Sequence, residues 1–428
     1  MKKNILLFIS LMLIFICHIT AQDQCESIGW ANYDGTTFVG TPTGGGTTTP
    51  IEVTTFAAFK AAAESTGPKV IYIKNSMGAG YINTTGDVVK VKSDKTIIGY
   101  PGVVVRASFQ IGSGVSNVII RNIKVEGPPA TNASQGWDNC NIDGASRIWI
   151  DHCEFENGGD GNFDVVKGAD NVSVTWCVFT YKEDGVHNYS NLIGSSDNEP
   201  ISHGKLNITY LNCWWKDCND RLPRSRYGKI HVANCYFSMR SGMTSSNGTG
   251  AGFMANCRVE NCEYENIKNP CKMLSGTSEG ICKPLNCSFV NCSGNTSGGV
   301  AGGYTVFVPP YSTALVAATE VKSIVTDPDC GAGPTMDSPI QCGCLDTGIS
   351  DIQDIKIKLY PNPSSDSFHI TGFEGKATVL VFDISGKQLL TKEVFESEAI
   401  AVETLPEGIY MVKTMTAKGS SQIKLLKK

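Results

Sequence analysis

The sequence predicts an all-β chain, a parallel β-helix followed by a small antiparallel β-sandwich. Three observations predict it. A Cys-x-aromatic tripeptide recurs at Cys153-Glu-Phe155, Cys177-Val-Phe179, Cys213-Trp-Trp215, Cys235-Tyr-Phe237, Cys262-Glu-Tyr264 and Cys287-Ser-Phe289. Alternating apolar stretches precede it, such as Ile148-Trp-Ile150, Val172-Ser-Val174, Leu206-Asn-Ile208 and Ile230-His-Val232. From about residue 352 a different strand pattern begins, without the cysteine repeat.

The repeats start roughly every two to three dozen residues, the period of a solenoid. A unit of short strands and turns cannot bury its apolar face alone, but stacked units bury a continuous core. Equivalent residues then lie one above another, at about the 4.8 Å interstrand spacing. The cysteines should form an internal ladder. Asn212, Asn234, Asn261 and Asn286, each just before a cysteine, should form a second ladder whose amides bond turn to turn. Residues 117–125 (NVIIRNIKV) fit the same frame with Ile123 in the cysteine position. Free buried thiols are the favoured state of the ladder, although a disulfide along it is sterically conceivable. Cys271, Cys282, Cys330, Cys342 and Cys344 lie off the ladder and are the better disulfide candidates.

Taken in order, the chain opens with Met1-Lys-Lys-Asn4, an apolar run to Cys17 and Ile19-Thr-Ala21, the basic, apolar, small-residue order of a secretory signal. Residues 1–21 are therefore expected to be removed, and no later segment is apolar enough to cross a bilayer. Residues 54–64 (TTFAAFKAAAE) predict one short helix with a threonine start, placed to cap the open end of the solenoid. The β-helix is expected over 22–326 and a Gly-, Pro- and Cys-rich linker over 327–351. The sandwich follows over 352–428, with strands near 355–359, 377–382 and 408–412.

At 428 residues, 41% hydrophobic and 18% charged, the chain can bury a sizeable core. Its net charge of −5 argues against a nucleic-acid partner and for a locally basic site on a mildly acidic body. That basic site is Arg221-Leu-Pro-Arg224-Ser-Arg226, just ahead of the alternating Ile230 and Val232. Its guanidinium forks suit carboxylate recognition. Upstream, Asp138, Asp160 and Asp164 sit on stacked coils that bring them to one face. Separate carboxylates with room for water and a substrate oxygen suit Ca²⁺ better than Zn²⁺. His152, His187, His203 and His231 show no metal spacing, and His152 and His231 read as packing residues.

These motifs resemble the family 1 polysaccharide lyases, the pectate lyases. The resemblance lies in Ile148-Trp-Ile-Asp-His152, Asp160-x-x-x-Asp164, Val172-x-Val-Thr-Trp176, Leu192-Ile-Gly194 and the run from Arg221 to Asn234. Gly29-Trp-Ala31, Thr43-Gly-Gly45 and Lys95-Thr-Ile-Ile-Gly99 add to it, so that it covers most of residues 25–325. The resemblance implies a right-handed β-helix that cleaves α-1,4-polygalacturonate by calcium-dependent β-elimination, leaving 4,5-unsaturated ends. It places Asp138, Asp160 and Asp164 on the calcium ligands, Arg221 on the catalytic base and Arg226 on the arginine that holds substrate carboxylate. Arg224 joins the substrate contacts, and Asp151 is structural. Where the family usually carries a substrate-binding lysine this chain has Tyr189, and Lys182 could reach in from the preceding loop instead. Bound Ca²⁺, Arg224 and Arg226 would disfavour the charged form of Arg221, so an alkaline optimum would fit.

Three alternatives stay open: a pectin lyase acting on methylated substrate, a polygalacturonase using clustered carboxylates, and a non-catalytic pectin-binding surface protein. The C-terminal region resembles the type IX secretion sorting domains of Bacteroidetes. It does so through Leu359-Tyr-Pro-Asn-Pro363, Asp383-Ile-Ser-Gly-Lys387, Leu405-Pro-Glu-Gly-Ile-Tyr410 and the lysine-rich end. That resemblance implies the secretion machinery as a partner and a secreted or cell-surface destination; separately, the chain is expected to be a monomer.

Overall fold

The computed structural model describes residues 26–78, 88–127, 138–185, 187–274, 279–338, 357–373, 375–382, 388–416 and 419–428. It divides into two units, residues 1–344 and 345–428. The first is a parallel β-helix of three sheets. Each coil contributes one strand to each sheet in turn, as in Phe163–Val166, Asp170–Thr175 and Val178–Thr180. We call these the site sheet (eight strands), the long sheet (eleven) and the aromatic sheet (eight). Every pairing among them is parallel except the last, where Gly299–Val300 turns back against Ile281 and Cys282.

The Cys-x-aromatic repeat marks the corner between the long and aromatic sheets. The residue before each cysteine position holds a left-handed backbone: Asn122, His152, Trp176, Asn212, Asn234, Asn261 and Asn286 have φ between 45° and 56°. Asparagine tolerates that conformation better than most residues, which is why it dominates the row. His152 and Trp176 occupy the same corner and stack on one another, with ring centroids 5.8 Å apart.

After this bend the next side chain turns inward, so Ile123, Cys153, Cys177, Cys213, Cys235 and Cys262 are all buried. The cysteines of the row are free thiols, and burial pushes those of Cys177, Cys235 and Cys262 well above the usual thiol range. The backbone N–H groups of Cys153, Cys213 and Cys235 each donate 3.4 Å to the sulfur one coil on. Cys213→Ser should cost about 1–3 kcal/mol in denaturant titration, because these contacts suit sulfur and are too long for a hydroxyl.

Two residues further, the aromatic rings stack down the interior. Phe155, Phe179, Trp215, Phe237, Tyr264 and Phe289 follow one another at 5.6, 5.1, 4.7, 4.1 and 5.5 Å between centroids. Offset stacking of this kind adds to the burial of large rings. The ladder expected from the sequence is therefore double, thiols at the corner and rings behind them.

Cys271 and Cys282 depart from expectation. Both are buried free thiols rather than a disulfide, and Cys282 is held protonated chiefly by its bond with Cys271 and by burial. Cys330 is disulfide-bonded, to a partner outside the described residues; Cys342 and Cys344 also lie outside them.

The cap helix α1 spans Phe56–Glu64, with Thr55 accepting the Ala58 N–H at 3.3 Å. Phe59, Ala62 and Ala63 seal the first coils. A second helix, α2 (Ala318–Val325), was not legible in the sequence. Its buried Val321 and Val325 pack on Tyr236 of the aromatic sheet.

The segment around α2 forms a strap that runs back down the corner. Val316 is clasped by Asn234 and Asn261, Gly333 donates to the Trp176 carbonyl, and Met336 is held on both sides of its backbone by Asn122. Among the described residues of this row two asparagine amides bond turn to turn, that of Asn122 to the Gly99 carbonyl and that of Asn234 to the Asn261 carbonyl. The first part of the segment expected as a linker, residues 327–338, thus lies on the β-helix, with Met336 buried.

The second unit is built of antiparallel sheets of three and four strands. Alternation along Lys376–Phe382 buries Ala377, Val379 and Val381 against Phe368, Ile370, Val394, Ile400, Val412 and Leu425. Asn362 pins the Tyr-Pro-Asn-Pro turn to the last strand, donating to the Lys424 carbonyl and accepting from the Leu426 N–H. The expected Asp383–Lys387 turn and the signal region 1–21 lie outside the described residues.

Candidate active site

The site forms on the outer face of the site sheet, where four successive coils bring acidic and basic groups together. Asp138 lies two residues before the start of the strand Cys140–Asp143, and Asp164 lies in its neighbour Phe163–Val166. A methyl built on Gly161 would sit 3.0 Å from Asp138 Oδ1 and 3.2 Å from Asp164 Oδ1, so both carboxylates close on one point. Asp138 Oδ2 accepts from Asn141 at 3.0 Å, while its Oδ1 is buried without a hydrogen-bond partner. Asp164 Oδ1 accepts the Leu192 N–H at 3.0 Å.

Burial, with Asp160 nearby, pushes the Asp138 carboxyl up to about 6. Burial and then Asp138 itself push Asp164 well above the usual range. Two carboxyls forced together out of water resist ionising together.

Asp160 stands apart from that pair. Its side chain is 56% exposed and turns to His187, whose Nε2 lies 3.2 Å from Oδ1 and 3.0 Å from the backbone oxygen. Among the described residues no three His, Cys, Asp or Glu side chains are gathered into a ready metal cage. The structure therefore brings together two of the three candidate ligands and leaves the third at the rim. His187, set aside in the sequence for want of metal spacing, is the neighbour that holds it there.

Arg221 arrives through an irregularity in the next coil. Tyr189 pairs with Asp220 and Leu192 with Arg224, so four steps on one strand face three on the other. The extra residue makes a bulge, a device that re-aims side chains near sites. Arg221 takes the left-handed backbone there, at φ 65°. Its guanidinium lies over the Tyr189 ring, 4.4 Å from the centroid, and its charge reaches both Asp138 and Asp164. Tyr189 in turn packs against His187 at 4.2 Å.

The ring thus supports the arginine where a lysine was expected. Tyr189→Leu should lower kcat about tenfold, the worth of a partly desolvated cation–π contact, while Tyr189→Phe keeps it. Steady-state kinetics on both variants checks this.

The other two arginines differ in what they already hold. Arg224 points outward beside Leu192 with a buried, unpartnered Nε. Burial, then the charges of Arg226 and Arg221, lowers its pKa. Arg226 is engaged, its Nε donating to Asp197 at 2.6 Å and its terminal nitrogen to the Gly194 carbonyl at 3.0 Å. A substrate carboxylate at Arg226 would compete with the exposed Asp197.

Lys182 does not enter the site. Glu156 at 2.5 Å and Glu126 at 3.5 Å hold its ammonium elsewhere.

Asp151 is a packing residue. It is buried among Arg121, His152 and Thr175, and contacts with the first two hold its carboxyl down to about 2 despite burial. His231 likewise ties Glu260, at 2.7 Å, to the strap residue Tyr311.

Comparison with known proteins gives the following. The family profile described as pectate lyase matches residues 1–334, and that of the secretion system C-terminal sorting domain matches residues 358–428. Pectate trisaccharide-lyase of Thermotoga sp. (strain RQ2) is 38% identical over 166 residues, 37% of this chain and 44% of that protein. This chain thus spans less than half of that relative's length in the match. Pectate lyase A of Aspergillus niger is 30% identical over 308 residues, 70% of this chain and 85% of that protein.

Among solved structures, a pectate lyase from Paenibacillus sp. 0602 superposes with a TM-score of 0.60 at 18% identity. It covers 74% of this chain and 98% of that one. A pectate lyase variant from Xanthomonas campestris gives 0.58 at 21%, covering 73% and 99%. At such identities these two show the shared fold.

Proposed function

Since this chain belongs to the pectate lyase family, we propose that it cuts α-1,4-polygalacturonate by β-elimination with Ca²⁺. The observation that carries the reading is the buried pair Asp138 and Asp164, repelling one another beside Arg221 with an oxygen left unpartnered. The donor set fits a hard cation, since it offers carboxylate oxygens, with Asp160 at hand on the rim. Ca²⁺, when held by Asp138, Asp164 and Asp160, supplies positive charge that offsets the uronate carboxylate and acidifies the hydrogen on C5.

The chain's own groups do the rest. Arg224, with a free donor, and Arg226, in exchange with Asp197, orient substrate carboxylates. Arg221 removes the C5 proton. The C5–H electron pair becomes the C4–C5 double bond, and the bond from C4 to the glycosidic oxygen breaks, with that oxygen taking up a proton. A guanidinium must lose its proton to act as a base, so the rate should rise toward alkaline pH.

Export is the second part of the reading. The sorting-domain match implies passage through a type IX secretion route. No helix among the described residues is long and apolar enough to cross a membrane. We place residues 1–21 as the signal peptide and the protein outside the cell, as a monomer.

The test is release of unsaturated uronides from polygalacturonate, followed by ultraviolet absorbance with and without chelator. Product that forms equally well in chelator removes the calcium assignment. Saturated product alone points to a hydrolase.

A further inference from the structure

Arg221 holds a backbone conformation that its own side chain does not favour. Counted back from the paired residues Arg224, Gly250 and Lys272, it takes the same corner position as Asn247 and Asn269. Asn269 is left-handed there, at φ 47°, and so is Arg221, at φ 65°. Asparagine settles in that conformation because its short amide can bond the backbone nearby, and a long guanidinium side chain cannot. The turn under Arg221 is therefore held by other groups.

Asp220 is the chief of them. Its Oδ1 accepts the Arg221 N–H at 2.6 Å, and its Oδ2 accepts from the side-chain amide of Asn247, one coil on, at 2.7 Å. The coil before grips the same peptides by their carbonyls. The Ser190 N–H donates to the Asp220 carbonyl at 3.0 Å, and the Asn191 N–H to that of Arg221 at 2.7 Å.

The chemistry of the row explains an aspartate at this place. Asn247 Oδ1 accepts from the Asn269 amide at 3.3 Å, and Asn269 Oδ1 accepts the Asn295 N–H at 3.1 Å. Asn247 is thereby oriented with its NH₂ toward residue 220. A short side chain at 220 must then accept twice, once from the Arg221 N–H and once from Asn247. A carboxylate has two acceptor oxygens, whereas an asparagine would satisfy one donor and set NH₂ against NH₂.

We propose that Asp220, backed by Asn247, is a positioning residue for the proton-abstracting arginine. It acts through Arg221: by fixing the turn it keeps the guanidinium on the Tyr189 ring and facing the aspartate pair. The inference rests on the reading of Arg221 as the base of a lyase. It adds to that reading the device that aims the base.

The experiment compares Asp220→Ala, Asp220→Asn, Asn247→Ala and the double variant Asp220→Asn with Asn247→Asp. Turnover is read as unsaturated product from polygalacturonate at saturating calcium. Binding is read as Kd for trigalacturonate in chelator, and the turn by amide hydrogen exchange at Arg221. Asp220→Ala and Asp220→Asn should lower kcat about 10- to 100-fold, as expected of a base moved by a fraction of its reach. Their KM and Kd should stay within about twofold, and the Arg221 amide should exchange faster. Asn247→Ala, which leaves Asp220 free to accept from Arg221, should lose less. The double variant restores a donor facing an acceptor at both contacts and should recover most of kcat and of the protection. Exchange along the neighbouring strand Ile208–Leu211 should match wild type in every variant, which shows that the coil has folded.

Asp220→Ala with kcat within about twofold of wild type would overturn the proposal. So would losses shared equally by kcat and KM and not recovered in the double variant, since that pattern belongs to a merely structural residue. A wild type that releases no unsaturated product, while Arg221 protection is lost in Asp220→Ala and regained in the double variant, would uphold the positioning of Arg221 and overturn the lyase reading.

Discussion

Arg221→Lys should lose about 10²–10⁴-fold in kcat, the usual worth of a positioned general base, with KM changed little. Lysine keeps the charge but not the reach or the planar face that lies on Tyr189. Charge retention therefore preserves binding and exposes the loss of proton transfer. Arg226→Lys makes the contrast: it gives up a fork already shared with Asp197 and Gly194 and should raise KM first. A kcat for Arg221→Lys within a few-fold of wild type would remove Arg221 from the role of base.

Asp164→Ala should abolish activity at ordinary calcium and recover part of it at high calcium. Folding adds a second readout. In the metal-free protein Asp138 and Asp164 bind protons more tightly folded than unfolded, so their contribution to stability is full below about pH 4 and is lost as pH rises, for Asp138 through about 6. Calcium should flatten that slope, and Asp164→Ala should reduce it in the metal-free state because one of the two repelling carboxylates is gone. Thermal midpoints between pH 4 and 8, in chelator and in calcium, measure both effects. Full activity of Asp164→Ala in chelator would sink the metal assignment, and an unchanged pH slope would show that the pair is not buried as described.

Those groups were legible in the sequence to different degrees. Stacking turns each coil into a copy of its neighbour, so residues that recur once per coil declare their place. The row of cysteines and the row of asparagines beside it were readable for that reason, and Ile123 could be aligned with the thiols, whereas the ring stack behind them and the left-handed backbone of the asparagines came only from the structure. The α1 cap announced itself through Thr55 and helical spacing.

Single-copy features were not readable. The bulge that turns Arg221 onto Tyr189 depends on counting one strand against another, which a lone sequence does not allow. Helix α2 has no side-chain cap, and it is held by packing on Tyr236 rather than by local propensity. Lys182 was within reach of the site by count, yet Glu156 and Glu126 on neighbouring rungs claim it. Asp160 could be assigned to a loop but not to His187, because rotamer choice at an exposed carboxylate is set by whichever donor is near.

The strap changes what kind of object the β-helix is. A bare stack of coils touches only its nearest neighbours, so it can come apart from one end while the rest stays intact. Here Val316, Gly333 and Met336 descend the corner from Asn261 to Asn122, joining late sequence to coils laid down near the beginning. Peeling away the last coils would tear that seam from the early ones. Unfolding of the first unit should therefore be a single all-or-none event rather than a progressive unravelling, and a chain cut before residue 316 should lose the resilience of every coil the seam crosses, the aspartate-bearing ones among them.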